Sequence, residues 1–441
     1  MRGLRFIILL LIAIPLAWYA YYDSKKGPVD DSPKRDKVFA VDADKIDEID
    51  IKSESGDKTT LRRKGSAWEI VQPVASAPDQ AAVSGITTNL SSVEIQRVVD
   101  ENPADLKEFG LAEPRVEVAF KANGQQRRLQ IGQKTPSGSD VYAKLPDSKR
   151  VFLISSFLDS TFNRSTFDLR DKSVLKVDQD KIDALDVTAG GGTTRFEKKN
   201  GEWQIVQPPA GRAEFGPVDG LVSRVGSVQM KSILPDTTDL KKYGLDKPAA
   251  TVRLGSGSSQ ATLVIGGAAE AGSVYAKDLS RPAVFTIESS LADDLKKGPA
   301  EYRQKDLFDA RSFNTTRLEL VRNGQATVFE KTKVKDKDGK EQEKWRQVAP
   351  AARDVDAAKI EALISALTGA RATGFVDSTA KTGLDKPELT VAFKYDEGKE
   401  ERVTFARAGD SAYAARAGSP GAAKVDAAVI DGIVKALEDV K

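Results

Sequence analysis

Apolar and polar residues alternate through "EIDI" (48–51), "TTLRRK" (59–64) and "AWEIVQP" (67–73). A period of two predicts strands, and the polar or glycine turns between them predict antiparallel hairpins. The period then changes. Val83, Ile86, Leu90 and Val93 are spaced 3, 4 and 3 apart, as on one face of a helix. The same spacing returns at Val218, Leu221, Val225 and Val228, and again at Ile360, Leu363, Leu367 and Ala370. Pro78 and Pro217 fall where a first helical turn accepts proline. Gly85 and Gly220 each lower helix propensity by roughly 1 kcal/mol, so packing must hold these helices.

Whole motifs recur with the pattern. "WEIVQP", "WQIVQP" and "WRQVAP" begin at Trp68, Trp203 and Trp345, 135 and 142 residues apart. "FGLAEP", "YGLDKP" and "TGLDKP" place Gly110, Gly244 and Gly383 at steps of 134 and 139. "VYAK" at Val141 and Val274 has the counterpart "AYAA" at Ala412, and Arg-x-Lys recurs at Arg35, Arg170 and Arg303. "DKIDEIDI" at Asp44 matches "DKIDALDV" at Asp180, with "TTRLEL" at Thr315 as a looser third. Several landmarks in one order at nearly one period indicate tandem duplication. The predicted organisation is three repeat units, 35–169, 170–302 and 303–441, behind an N-terminal segment (1–26) and a polar tether (27–34). Strands with helices on an antiparallel sheet give an α+β fold.

The glycine motif predicts a second, short helix. In the first unit Asn102 is the expected N-cap, Pro103 the first helical residue, and Gly110 the left-handed end with Leu111 on Leu106. Asp236, Leu240, Gly244 and Leu245 take those roles in the second unit. In the third the cap candidate is Asp377, but Thr379 replaces the leucine, so a looser copy is expected. Pro114, Pro248 and Pro387 then send the chain into a strand. "KVKDKDGKEQEK" (Lys333 to Lys344) is an insertion expected to lengthen a hairpin, and "DAAVIDGIVKALEDV" predicts a closing helix. The hexamer itself poses a problem. Trp68 and Val71 point to opposite faces of a regular strand, which requires cover on both sides or a bulge. Gln347, in place of isoleucine, should make the third copy's inner face less dry.

Phe6 to Tyr22 runs 17 residues without a charge, at the lower limit for a membrane span. Arg2 and Arg5 precede it, and Trp18, Tyr19, Tyr21 and Tyr22 cluster at its far end. Pro15 is tolerable in a membrane helix. A cleavable signal peptide is the rival reading, but cleavage after Ala20 would put Trp18 where a small residue belongs. An uncleaved anchor is therefore expected, in a bacterial cytoplasmic membrane with the bulk of the chain on the extracytoplasmic side. Lys25 and Lys26 weaken that orientation and Asp23 partly offsets them.

Composition narrows the chemistry. The 441 residues contain no histidine and no cysteine. That excludes a Ser-His-Asp triad, thiolate chemistry, disulfides, a bacterial lipidation site, and His- or Cys-ligated metal. Lys and Arg number 67 against 65 Asp and Glu, a balance that argues against a nucleic-acid surface. "VDADKIDEID" (41–50) lacks the glycine and terminal glutamate of a calcium loop. "GGG" (190–192) and "GSGSSQ" (255–260) lack the phosphate-loop ending and read as turns. Arg35, Arg170 and Arg303 suit a bridge between units or a carbonyl cap better than an anion site. The three hexamer tryptophans suit core packing better than sugar stacking. No catalytic, cofactor-binding or metal residue is assigned.

The anchor, the "WEIVQP"/"WQIVQP" pair and the "FGLAEP"/"YGLDKP"/"TGLDKP" series together resemble a family of bacterial membrane-anchored proteins, the domain of unknown function 4340. The resemblance implies an extracytoplasmic repeat protein, often encoded beside ABC-type transporters and auxiliary proteins like those of gliding-motility systems. It carries no catalytic residues to transfer. The expected function is a non-enzymatic scaffold or accessory subunit with envelope protein partners, an ABC-type transporter among them. The alternatives are a binding module for an envelope polymer or small ligand, and last a carboxylate-based hydrolase.

Overall fold

The computed structural model describes Trp18, Tyr21 and residues 35–440, except 208–209, 235–237, 271 and 336–340. The chain divides into two compact units, Met1–Asp171 and Lys172–Lys441. The first holds one antiparallel sheet, the second holds two, and helices complete an α+β fold.

In the first unit β1 (Ile46–Lys52), β2 (Lys58–Lys64) and β3 (Ala67–Gln72) form a meander. β4 (Arg97–Asp100), β5 (Val116–Ala122), β6 (Gln125–Lys134), β7 (Asp140–Lys144) and β8 (Val151–Ser155) complete the order β3-β2-β1-β5-β6-β7-β8-β4. The second unit repeats this order. Its first sheet uses β9 (Ala184–Ala189), β10 (Gly192–Lys199), β11 (Glu202–Gln207), β12 (Gly211–Arg212), β13 (Ser232–Ile233), β14 (Ala250–Ser256), β15 (Ser259–Ala268), β16 (Ser273–Asp278) and β17 (Phe285–Glu288). They run β12-β11-β10-β9-β14-β15-β16-β17-β13. Its second sheet uses β18 (Thr315–Arg322), β19 (Gln325–Lys335), β20 (Glu341–Ala349), β21 (Arg353–Asp354), β22 (Gly374–Val376), β23 (Leu389–Tyr395), β24 (Lys399–Ala408), β25 (Ser411–Arg416) and β26 (Ala422–Val425). Their order, β21-β20-β19-β18-β23-β24-β25-β26-β22, is the same path again. The edge pairs β12 and β21 correspond in the first sheet to a single bridge, Ile70 to Ser76.

Helices cover one face of each sheet, and the apolar stripes meet the cores there. Val83, Ile86 and Leu90 of helix Gln80–Ser92 are buried, as are Val218, Leu221 and Val225 of Phe215–Gly226 and Ile360, Leu363 and Leu367 of Ala357–Thr368. Val228 falls beyond its helix and is half-buried. Pro78 is not in a first turn. Asp79 caps the helix through the amides of Ala81 and Ala82, and Pro78 instead bridges to Arg170. The closing helix Ala427–Val440 buries Ile430, Ile433 and Leu437 against the third core. The Lys333–Lys344 insertion lengthens the β19–β20 hairpin, and its tip lies outside the described residues.

The second helix is shorter than its sequence suggests. It is one 3-10 turn, Lys107–Phe109, and Asp105 rather than Asn102 receives the amide of Lys107. In the second sheet Asp239 caps Leu240–Tyr243, while Asp236 lies outside the described residues. The ends follow the glycine: Gly110 and Gly244 have φ of 66° and 68°, and Leu111 and Leu245 donate to the carbonyls of Leu106 and Leu240 at 3.0 and 2.9 Å. In the third copy no helical turn forms around Asp377. Register gives a reason beyond the missing leucine. Ile131, Ile265 and Phe405 are equivalent, facing Val116, Ala250 and Leu389. The next residues are Gly132, Gly266 and Ala406. A Cβ on Gly132 or Gly266 would lie 2.1 or 2.2 Å from the carbonyl oxygen of Phe109 or Tyr243. Ala406 carries that Cβ, so the Thr382 carbonyl cannot take the seat of Phe109 and Tyr243, although Gly383 itself still packs closely, with a Cβ on it 2.6 Å from the Arg407 carbonyl oxygen.

Among the described residues no helix is long and apolar enough to cross a membrane. The Phe6–Tyr22 span lies outside the described residues apart from Trp18 and Tyr21.

Candidate functional site

The residues singled out by recurrence are spent first on the fold. Trp68, Trp203 and Trp345 are 8%, 2% and 6% exposed, so a sugar-stacking platform built on them is ruled out. Each hexamer contains a bulge at its valine. Thr60 faces Gln72 and Leu61 faces Ile70, leaving Val71 as the extra residue. Val206 and Val348 are skipped in the same way. The tryptophan and the residue two positions on (Ile70, Ile205 or Gln347) share the inward face as in any strand, and the bulged valine after them turns away from the core. In the third copy the buried Gln347 donates to the Ala351 carbonyl at 3.0 Å and accepts from Arg353 Nε at 3.1 Å. Arg353 in turn holds the Val440 carbonyl at 2.8 Å, tying the last helix to the sheet.

The acidic stretch at 41–50 becomes a 3-10 turn and β1, with Ile46, Ile49 and Ile51 in the core. Gly190 and Gly191 form the β9–β10 turn at positive φ, and Gly257 forms the β14–β15 turn. Among the described residues no cluster of three acidic side chains is arranged to hold a metal.

Charge concentrates where the two sheets of the second unit join. The lead-in to the third repeat, 303–307, lies between β12 and residues 370–372. Gln304 N donates to the Arg212 carbonyl at 2.9 Å, and Ala372 N to the Lys305 carbonyl at 2.8 Å. Arg371 reaches Glu214 at 3.1 Å and Asp306 at 3.3 Å, and Arg311 reaches Asp306 at 2.9 Å. Arg212 pairs with Asp309 and donates to the Asp306 carbonyl at 2.8 Å. Arg416 holds the other oxygen of Asp309 at 2.7 Å and lies 3.0 Å from Glu401. The Glu401 carboxylate is wholly out of water and receives the amides of Asp309 and Ala310 at 3.0 and 2.7 Å. A buried charge survives only when paired and hydrogen-bonded in this way.

The electrostatics follow from crowding. Burial, then the like charge of Arg416, pulls Arg212 below the usual arginine value. Burial pushes Asp309 upward, but the two guanidiniums outweigh it and hold its carboxyl below the ordinary range. Burial raises the Tyr302 phenol to about 12. Its ring packs edge-on against Phe196 at 5.3 Å, seating the lead-in on the second sheet.

Arg303 is the recurring arginine whose surroundings stand out. It is 7% exposed, stacks 4.3 Å over the Phe375 ring, and donates to the Pro420 carbonyl at 3.5 Å. Burial lowers its pKa, and the exposed Asp377 pulls only partly the other way. Carbonyl capping within the third repeat is thus the role it fills. It also lines a cleft of ≈60 Å³ with Arg212, Asp306 and Arg416. A larger cavity of ≈300 Å³ on the third sheet is lined in part by Glu319, Glu400 and Glu401. Arg317, Lys394 and Arg416 neutralise these three carboxylates in turn. Asp309, Glu401 and Arg416 were invisible in the sequence because 92 residues or more separate the first from the other two. The lead-in's own "RQKDLFDAR" carries the one local signal, a short run of mixed charge.

The profile of a family described as "Domain of unknown function (DUF4340)" matches residues 68–211 and 203–387, well over half of the chain, so the chain belongs to that family. Both matches begin at a hexamer tryptophan. No curated protein matches. Among solved structures, the DNA polymerase sliding clamp from Pseudomonas aeruginosa aligns at 8% identity, covering 87% of this chain and 91% of that one. Its TM-score of 0.16 carries no argument.

Proposed function

We propose that this member of the DUF4340 family is a non-enzymatic scaffold or accessory subunit, held at a bacterial cytoplasmic membrane by Phe6–Tyr22 with its repeats on the extracytoplasmic side. The observation that carries the reading is where the recurring residues go. The hexamer tryptophans are in the cores, and the arginines and carboxylates of the repeat junction fasten one sheet to the next. Repetition here multiplies a fold unit and its junction, as in proteins that present extended surfaces to partners. The uncharged span at the N-terminus supports the membrane placement, and the family resemblance supports an ABC-type transporter complex as the partner.

The test is purification of the tagged full chain from native membranes in mild detergent. The expected result is retention in the membrane fraction after carbonate washing and co-elution with integral-membrane transporter subunits. Recovery of the chain alone, or from the soluble fraction, would overturn the reading.

A further inference from the structure

We propose that the cleft between β12, the 303–307 lead-in and the loop before β26 binds a phosphate-sized oxyanion, with Arg303 as its principal cation and Arg212 and Arg416 at its sides. The site lies wholly among described residues of the second unit.

Five guanidiniums meet at the junction: Arg212, Arg303, Arg311, Arg371 and Arg416. Four of them are paired to the carboxylates of Glu214, Asp306, Asp309 and Glu401. Arg303 is the fifth. Among the described residues no carboxylate comes within ion-pair distance of it, and Asp377 is exposed and acts from farther away. Stacking on Phe375 recovers part of the cost of burying this cation. Leaving a buried ion unpaired costs more than stacking returns, so an anion in the cleft would offset the difference.

Shape agrees with charge: the cleft volume of ≈60 Å³ equals about four or five water-sized spheres, which suits the five heavy atoms of a phosphate group. Access agrees too. A Cβ on Gly211 would lie 3.6 Å from both Nε and Nη2 of Arg303. Glycine there leaves room beside the edge with which a guanidinium grips an oxyanion through two hydrogen bonds; Nη2 gives one N–H to the Pro420 carbonyl at 3.5 Å and keeps the other. The phosphate can be free or the end of a phosphomonoester.

The experiment is titration of the purified protein with inorganic phosphate, and separately with glycerol phosphate, by calorimetry at constant ionic strength. Saturable binding of inorganic phosphate is expected. Arg303→Met, which keeps an apolar side chain but removes the guanidinium that stacks on Phe375, should weaken it at least about tenfold. Gly211→Asp, which supplies a carboxylate beside the guanidinium, should abolish binding and raise the melting temperature. Equal binding of glycerol phosphate identifies a group on a larger molecule; binding of the free ion alone identifies an enclosed site. Either supports the assignment. Absence of saturable phosphate binding in the wild type overturns it. So does unchanged affinity in the variants, and Gly211→Asp decides if Arg303→Met fails to fold.

Discussion

The two sheets of the second unit follow one strand order, yet they solve the same two packing problems differently. In the first of them Ile205 fills the hexamer's inner position, and Gly266 lets the Tyr243 turn settle directly on β15. In the other, Gln347 occupies the first position and builds a polar link through Arg353 to the closing helix. Ala406 occupies the second, and the helical turn is gone. With it goes a ring pair. Phe109 packs on Tyr142 at 5.1 Å and Tyr243 on Tyr275 at 4.9 Å, but Thr382 gives Tyr413 no aromatic partner in that position. The lesson is that strand order and the buried tryptophan define the unit, while the turn and the inner hexamer position are free to diverge when a neighbour compensates.

The comparison breaks most visibly at the tryptophans. Trp203→Ala should cost about 3–5 kcal/mol in chemical unfolding of the full chain, and Trp345→Ala should fall at the lower end of that range. A cost under about 1 kcal/mol for both would remove them from the core account. Next is the turn. Gly266→Ala should cost about 1–3 kcal/mol by forcing the Tyr243 carbonyl away. Ala406→Gly should cost about 1–2 kcal/mol, from added backbone freedom and a lost buried methyl group, with no carbonyl displaced. A Gly266→Ala cost below about 1 kcal/mol would show that the Tyr243 turn is not held that close.

The fold was legible where it rests on period and repetition. The alternation of "EIDI", the 3-4-3 stripes and the glycine ends at Gly110 and Gly244 each correspond to local geometry that a few adjacent residues decide. The bulge was one of two readings left open, since Trp68 and Val71 point to opposite faces of a regular strand with or without one, and only the pairing with β2 decides it. What escaped was set by distant neighbours. Asn102 and Asp105 are equally good caps in isolation, and the choice depends on where the turn meets β6. The loss of the third turn depends on Ala406, more than twenty residues from the motif it disturbs. The junction is assembled from 212, 309, 401 and 416, and no spacing rule connects those positions.

Two smaller effects sharpen the polar side. Gln347→Leu should cost about 1–3 kcal/mol by stripping Arg353 Nε and the Ala351 carbonyl of partners. Adding Arg353→Leu should recover part of it, a coupling that a double-mutant cycle reads directly. Asp309 gives the smallest effect and a pH signature. Its folded pKa lies below the unfolded value, so its contribution is fully present above about pH 4–5 and fades as pH falls through the lower folded value. Acid unfolding of Asp309→Asn should therefore be flatter in that window than that of the wild type. An identical slope would mean that Asp309 carries no net pairing.

The most direct test of the central claim, that the recurring hexamer marks a buried strand rather than a surface, is tryptophan quenching by acrylamide in a Trp18→Phe variant. Trp68, Trp203 and Trp345 are then the only tryptophans, and excitation at the red edge, where tyrosine does not absorb, isolates their emission. The account predicts a single, strongly shielded population whose quenching constant rises to that of free tryptophan only on unfolding. A native component quenched as readily as free tryptophan would contradict it.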